Sequence, residues 1–252
     1  PPEEPPAVPC RMDLRAGGVE GSRFPFSLWA KLMRQVLSEE DSTLLAPVPF
    51  NGVPALRQAI ADYLYRARGI TVHPEQVVLG AGTEYLYNLI VQLLGRERVY
   101  GVEDPGYAKL TRIYQACGVT LRELPLDAQG PEPAALEKSG TQVLHLSPSH
   151  HYPTGLVVPI PRRQQLLDWA CQGDDRYIIE DDYDSEFRFV GRPIPTLQSI
   201  DRAQRVIYVN TFSRTIGPSL RISYMVLPIP LLERYRRELG FYACTVPSLE
   251  QH

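Results

Sequence analysis

Short apolar runs alternate with amphipathic stretches along most of this chain, and that alternation limits its fold more than any other feature. Seven runs have the β-branched or apolar character of strands: Val77–Gly80, Val99–Val102, Val119–Glu123, Val143–Leu146, Tyr177–Asp181, Val206–Asn210 and Ser223–Leu227. Between them, Val53–Arg68 places Leu56, Ile60 and Leu64 four residues apart. Thr83–Leu94 gathers Leu86, Leu89, Ile90, Leu93 and Leu94 on one stripe, and both patterns predict helices. Strands that are apolar almost throughout must be covered on both faces. The expected class is therefore α/β: an α/β/α sandwich around a mainly parallel, seven-stranded sheet.

Size and charge narrow the function classes. A chain of 252 residues that is 44% hydrophobic can bury one sizeable core. The net charge of −3 comes without a basic cluster, so these residues offer no electrostatic footprint for nucleic acid, and any DNA contact is expected from elsewhere. Cys10, Cys117, Cys171 and Cys244 form no C-x-x-C pair, which argues against a disulfide framework or a zinc site and suits a reducing cytoplasm. No long uninterrupted apolar run suggests a membrane span. Pro1–Pro9 reads as a semi-rigid linker, and Gly240–His252 follows the last helix pattern without a closing element. The expected layout is a linker over 1–10 from an upstream DNA-binding domain, one domain over 11–240, and the start of a C-terminal part over 241–252.

In open α/β sheets ligands sit beyond the carboxyl ends of the strands, and four segments occupy such positions. Gly80-Ala81-Gly82-Thr83 joins a strand to a helix; it reads as a phosphate seat or, equally, as a tight turn capped by Thr83. Glu84 suits the helix dipole but repels a phosphate. Glu103-Asp104-Pro105-Gly106-Tyr107 places a tyrosine where it can stack on a flat ligand or merely cover the turn. Ser147–Gly155 contains the adjacent His150 and His151, which point opposite ways if the segment is extended and lack a third ligand at metal spacing. Glu180–Glu186 lacks the glycine of a calcium loop and reads as a solvated acidic turn or as the carboxylate that keeps a pyridine nitrogen protonated.

Taken in order and followed by Thr211-Phe212-Ser213-Arg214-Thr215-Ile216-Gly217-Pro218-Ser219-Leu220-Arg221, these segments resemble the large domain of fold-type I, pyridoxal-phosphate-dependent aminotransferases. The form is the one carried by MocR-type (GntR superfamily) transcription regulators, and the resemblance runs from about residue 11 to 252. It implies that Asp181 pairs with the pyridine nitrogen, that Tyr183 donates to the ring oxygen and that Tyr107 stacks on the ring. Gly82, Thr83, Thr211, Ser213 and Arg221 would hold the phosphate, with Glu84 in the same turn. Lys109 would lie where the family often has a substrate-binding arginine.

Four departures accompany the resemblance. Arg214 stands where the family has the lysine that bonds covalently to the cofactor, and a guanidinium is no amine nucleophile. Glu84 replaces a glutamine. Pro47-Val48-Pro49-Phe50-Asn51-Gly52 lacks a tyrosine that in the family crosses to the partner's phosphate. The small domain with its carboxylate-binding arginine is missing. The first expectation is thus a sensor domain without turnover that binds pyridoxal phosphate non-covalently, responds to a small-molecule effector or amino acid and forms a homodimer. The alternatives are an active class I/II aminotransferase, with Arg214 a substitution or Lys109 a surrogate, and a structural dimerisation module.

Overall fold

The structure, a computed structural model, describes residues 24–39, 43–187, 194–217 and 219–252. The linker expected over 1–10, the beginning of the resemblance and Pro218 lie outside the described residues. Helix α1 (Phe26–Glu39) leads to α2 (Pro54–Arg68), β1 (Val77–Ala81), α3 (Thr83–Leu94), β2 (Val99–Asp104), α4 (Ala108–Ala116), β3 (Thr120–Asp127) and β4 (Gly130–Pro131). The chain continues through α5 (Pro133–Lys138), β5 (Val143–Leu146), α6 (Ile160–Cys171), β6 (Tyr177–Asp181), α7 (Leu197–Ile200), β7 (Val206–Thr211), β8 (Ile222–Val226), α8 (Ile229–Glu238) and α9 (Ser248–Gln251).

The strands form one eight-stranded sheet in the order β1-β8-β7-β6-β5-β2-β3-β4. Strands β3, β2, β5, β6 and β7 are mutually parallel, whereas β8 runs antiparallel to both β7 and β1. All seven expected strands form. The eighth is the two-residue β4, antiparallel to the end of β3, and it is too short to leave a periodic signal. Strand β3 continues beyond the expected Glu123 to Asp127, through Pro125, which is tolerated where pairing with β2 ends.

Period-two alternation divides the strand residues between two apolar layers. Tyr100, Val102, Val143, Ile179, Ile207, Val209 and Met225 pack with Leu86, Leu89, Ile90, Leu93 and Leu94 of α3, Tyr114 of α4, and Leu231, Leu232 and Tyr235 of α8. On the opposite face Leu144, Leu146, Ile178 and Val206 meet Leu136, Leu166, Leu167 and Trp169 of α5 and α6, while Val77, Leu79, Tyr208 and Tyr224 meet Ile60 and Leu64 of α2. Each such buried aliphatic side chain contributes roughly 1.5–3 kcal/mol. Helix α2 begins with Pro54 at its first position and stops at Gly69, whose φ of +66° closes the left-handed cap.

Because β1 and β7 point the same way as β2, β5 and β6, the carboxyl ends of all five open onto one edge of the sheet. The segment that starts β8 begins there too. Helix α1 buries none of its residues and exposes Phe26, Leu28, Leu32 and Leu37.

Candidate functional site

The deepest part of that edge is the end of β6. Asp181 is 9% exposed, and its Oδ2 accepts a 2.6 Å hydrogen bond from the Tyr87 hydroxyl of α3. Nε2 of His145, on the neighbouring β5, lies 3.5 Å from the same oxygen, and Nδ1 of His145 is hydrogen-bonded to the Tyr114 hydroxyl at 2.6 Å. Burial, and then the Asp181 charge, raise the Tyr87 hydroxyl well above the ordinary tyrosine range, so it stays a donor. Thr83 also hydrogen-bonds Tyr87. The second carboxylate oxygen, Oδ1, is buried without a hydrogen-bond partner. An acceptor left in that state costs free energy unless something supplies a proton to it.

Asp182 faces the other way. Its Oδ2 takes an ion pair from Arg68 of α2 at 2.7 Å and a hydrogen bond from Tyr208 at 2.7 Å. Arg68 also reaches Ser149 Oγ at 3.1 Å, tying the Ser147–Gly155 loop to the back of the sheet.

The outer part of the site is the β1–α3 turn. Gly82 is the cap of α3, with φ +101° and ψ 156° and no side-chain cap bond. This corrects the expectation that Thr83 caps the helix: Thr83 is its first residue and turns its side chain to Tyr87. Glu84 Oε2 binds Arg221 Nη2 at 2.6 Å, while Oε1 binds Lys109 Nζ. Partial burial pushes the Glu84 carboxyl up, but the bonds from Lys109, its own backbone N–H and Arg221 outweigh that and hold it down at about 2. Arg221 adopts a left-handed backbone with φ +50° just before β8. Thr211 Oγ1 donates to Ser213 Oγ at 2.9 Å and accepts from Ser223 Oγ at 2.8 Å, beside the same turn.

The remaining candidates border these two parts. The Tyr183 hydroxyl donates to the His150 carbonyl at 3.0 Å, and the Arg214 guanidinium carbon lies 5.8 Å from the centre of the Tyr183 ring. Tyr107, half exposed, meets Tyr152 edge-on at 5.9 Å. It also lies near enough to Lys109 to act on its charge. His150 pairs with Asp184, whereas His151 hydrogen-bonds Thr154 at 2.7 Å and lies 3.6 Å from buried Glu103. Burial pushes the Glu103 carboxyl up to about 8; the Ser147 N–H it accepts pulls the other way and the Asp181 charge adds to the rise.

Sequence reasoning thus names Gly82, Glu84, Lys109 and Arg221, which touch one another, and Asp181, but it misses Tyr87, His145, Tyr114, Arg68 and Glu103. Tyr87 and Tyr114 sit within apolar helix stripes and His145 within an apolar strand. A polar tip inside an apolar pattern is their only mark.

Comparison with known proteins follows the same outline. Residues 12–248 match the model of the family described as aminotransferase class I and II. The chain is 40% identical over 240 residues to the uncharacterised HTH-type transcriptional regulator YdeL of Bacillus subtilis, covering 95% of this chain and 52% of that protein. It is 33% identical over 244 residues to the HTH-type pyridoxine biosynthesis transcriptional regulator PdxR of Corynebacterium glutamicum, covering 97% and 52%. It is also 34% identical over 231 residues to the probable rhizopine catabolism regulatory protein MocR of Rhizobium meliloti, covering 91% and 47%. The chain therefore spans about half the length of these regulators. Among solved structures, an archaeal alanine:glyoxylate aminotransferase shares the fold with a TM-score of 0.82 at 24% identity, over 94% of this chain and 60% of that one. The α-aminoadipate aminotransferase LysN of Thermus thermophilus gives 0.76 at 26% identity, over 90% and 59%. With the family model matched over nearly the whole chain and the sheet matching solved aminotransferases, the chain belongs to the aminotransferase class I and II family.

Proposed function

We propose that this domain is the pyridoxal-phosphate-binding sensor module of a cytoplasmic, MocR-type transcription regulator, and that it holds the cofactor without a covalent bond. The observation that carries the reading is the buried, partnerless Oδ1 of Asp181, an acceptor shaped for a donor that the described residues do not supply. A protonated pyridine nitrogen fits it. Bound there, the cofactor supplies an electron-withdrawing ring and a reactive aldehyde.

The chain's own residues divide the work. Asp181 would accept a hydrogen bond from the ring N–H and so keep the nitrogen protonated, and Tyr87 and His145 fix the carboxylate's orientation. Tyr183 sets its ring beside Arg214 while its hydroxyl donates to the His150 carbonyl, and Tyr107 with Tyr152 covers the mouth. Gly82, Thr83, Thr211, Ser213 and Arg221 line the anion seat, where Glu84 already engages Arg221. The ring end fits the cofactor; the phosphate end fits only if Glu84 yields.

Arg214 carries a guanidinium and no free amine, so it can neither attach the aldehyde nor move a substrate proton. Lys109 is engaged by Glu84, which raises its pKa further and keeps it a cation rather than a nucleophile. The exposed apolar residues of α1 suit a homodimer, and the regulator's DNA contacts belong to a domain preceding residue 11.

The test is borohydride reduction of the protein equilibrated with pyridoxal phosphate, followed by peptide mapping, for the wild type and Arg214→Lys. The expected result is full release of cofactor from the reduced, denatured wild type, and a visible absorbance band with an adduct at position 214 in the variant. A wild-type adduct on Lys109 would make the enzyme reading correct. No binding by either folded protein would leave a structural dimerisation module.

A further inference from the structure

This inference rests on the proposed reading of the turn at Gly82 as a phosphate seat and goes beyond it. A bound phosphate draws on helix N-terminal amides, a guanidinium and an ammonium. In this chain one internal carboxylate takes all three kinds of donor: Glu84 accepts from its own backbone N–H at the start of α3, from Arg221 Nη2 at 2.6 Å and from Lys109 Nζ. The group is packed directly over the turn, since a Cβ on Gly82 would lie 2.0 Å from Arg221 Nη2 and 2.8 Å from Glu84 Oε2.

We propose that Glu84 is an internal anion in the phosphate seat, a specificity-determining residue that an incoming phosphate must displace. The domain then discriminates against the phosphorylated form of its aldehyde ligand, relative to the unphosphorylated form, more than the other seat residues would.

Charge and mobility support the exchange. Two cations and one carboxylate leave a single net positive charge facing the ligand, and removing the carboxylate doubles it. Glu84 is ionised at neutral pH, where the phosphate is also charged, because the bonds from Lys109, its own amide and Arg221 prevail over its partial burial. Its side chain is 31% exposed, as are roughly half of Lys109 and Arg221, so the carboxylate can rotate into solvent without breaking the core. The two cations would then pass to the phosphate.

The experiment titrates the full chain calorimetrically at neutral pH with inorganic phosphate, pyridoxal and pyridoxal phosphate, using wild type, Glu84→Gln and Glu84→Ala. Both variants are expected to bind inorganic phosphate and pyridoxal phosphate about tenfold or more tightly than wild type, because a repelling charge in direct contact is gone. Pyridoxal should change by less than about twofold, since the ring end is a separate set of contacts. Unchanged or weaker phosphate binding in both variants overturns the proposal and makes Glu84 a positioning residue for Arg221. Tighter phosphate binding with no pyridoxal binding by any of the proteins upholds the internal anion while removing the pyridoxal-phosphate reading, so the two fail separately.

Discussion

The two ends of the site satisfy their polar groups in opposite ways. Asp181 lies at the bottom, on a sheet strand, and its supports Tyr87, His145 and Tyr114 are locked in the core; one of its oxygens is left over because nothing there can move to meet it. Glu84, Lys109 and Arg221 lie at the rim on long, half-exposed side chains, and they have found one another. Burial thus preserves an unfilled valence that exposure would have closed. For a site that has kept its fold, the buried end is the better witness of what it binds.

The sharpest way to break that contrast is Asp181→Asn. Affinity for pyridoxal phosphate is expected to fall by about fiftyfold, the worth of one buried charge-assisted hydrogen bond, while affinity for inorganic phosphate stays put. A loss of less than about threefold in calorimetry would mean that the bottom of the site does not recognise the ring.

Gly82→Ala probes the rim. The φ and ψ of Gly82 belong to a region that only glycine occupies comfortably, so the change should destabilise the fold by about 1–3 kcal/mol and push Arg221 off Glu84. Urea unfolding measures it, and an unmoved midpoint would show that the turn relaxes freely.

A third test sharpens the contrast through pH. Glu103 has a folded-state carboxyl raised by burial from its ordinary 4.5 to about 8, so the folded protein holds a proton that the unfolded chain has lost. Its contribution is complete below the ordinary value and disappears as pH rises through about 8, with a slope of at most about 1.4 kcal/mol per pH unit. Glu180, buried and pushed up to about 7, gives the same sign. Glu103→Gln should flatten only the upper part of the profile; an identical profile would show Glu103 ionised in the fold.

Much of this arrangement is legible in the order of the residues. The apolar runs mark β1, β2 and β5–β8 because those strands are largely buried, whereas β3 buries only Leu124, and Thr83–Leu94 coincides with α3 because its stripe is unbroken. What the residue order hides depends on contact across the fold. Nothing local in Tyr87 or His145 says that their polar tips meet Asp181, and the neighbours Asp181 and Asp182 read as one acidic turn although alternation sends them to different partners, Tyr87 and Arg68. Helix α1 is missing from the expected elements although Trp29, Leu32, Met33 and Val36 recur at helical spacing, and it packs none of its residues into the core. The carboxylate at Glu84 stands out as an oddity in a turn suited to phosphate, yet its two cations lie 25 and 137 residues away in sequence.

Arg221 offers a last lesson about what its position is for. Its left-handed backbone is the kind of place where glycine or asparagine sits at less cost, and a long cationic side chain gains nothing from that geometry. What the position gains instead is a guanidinium placed on Glu84, so a glycine here would ease the backbone and remove the charge in the same step.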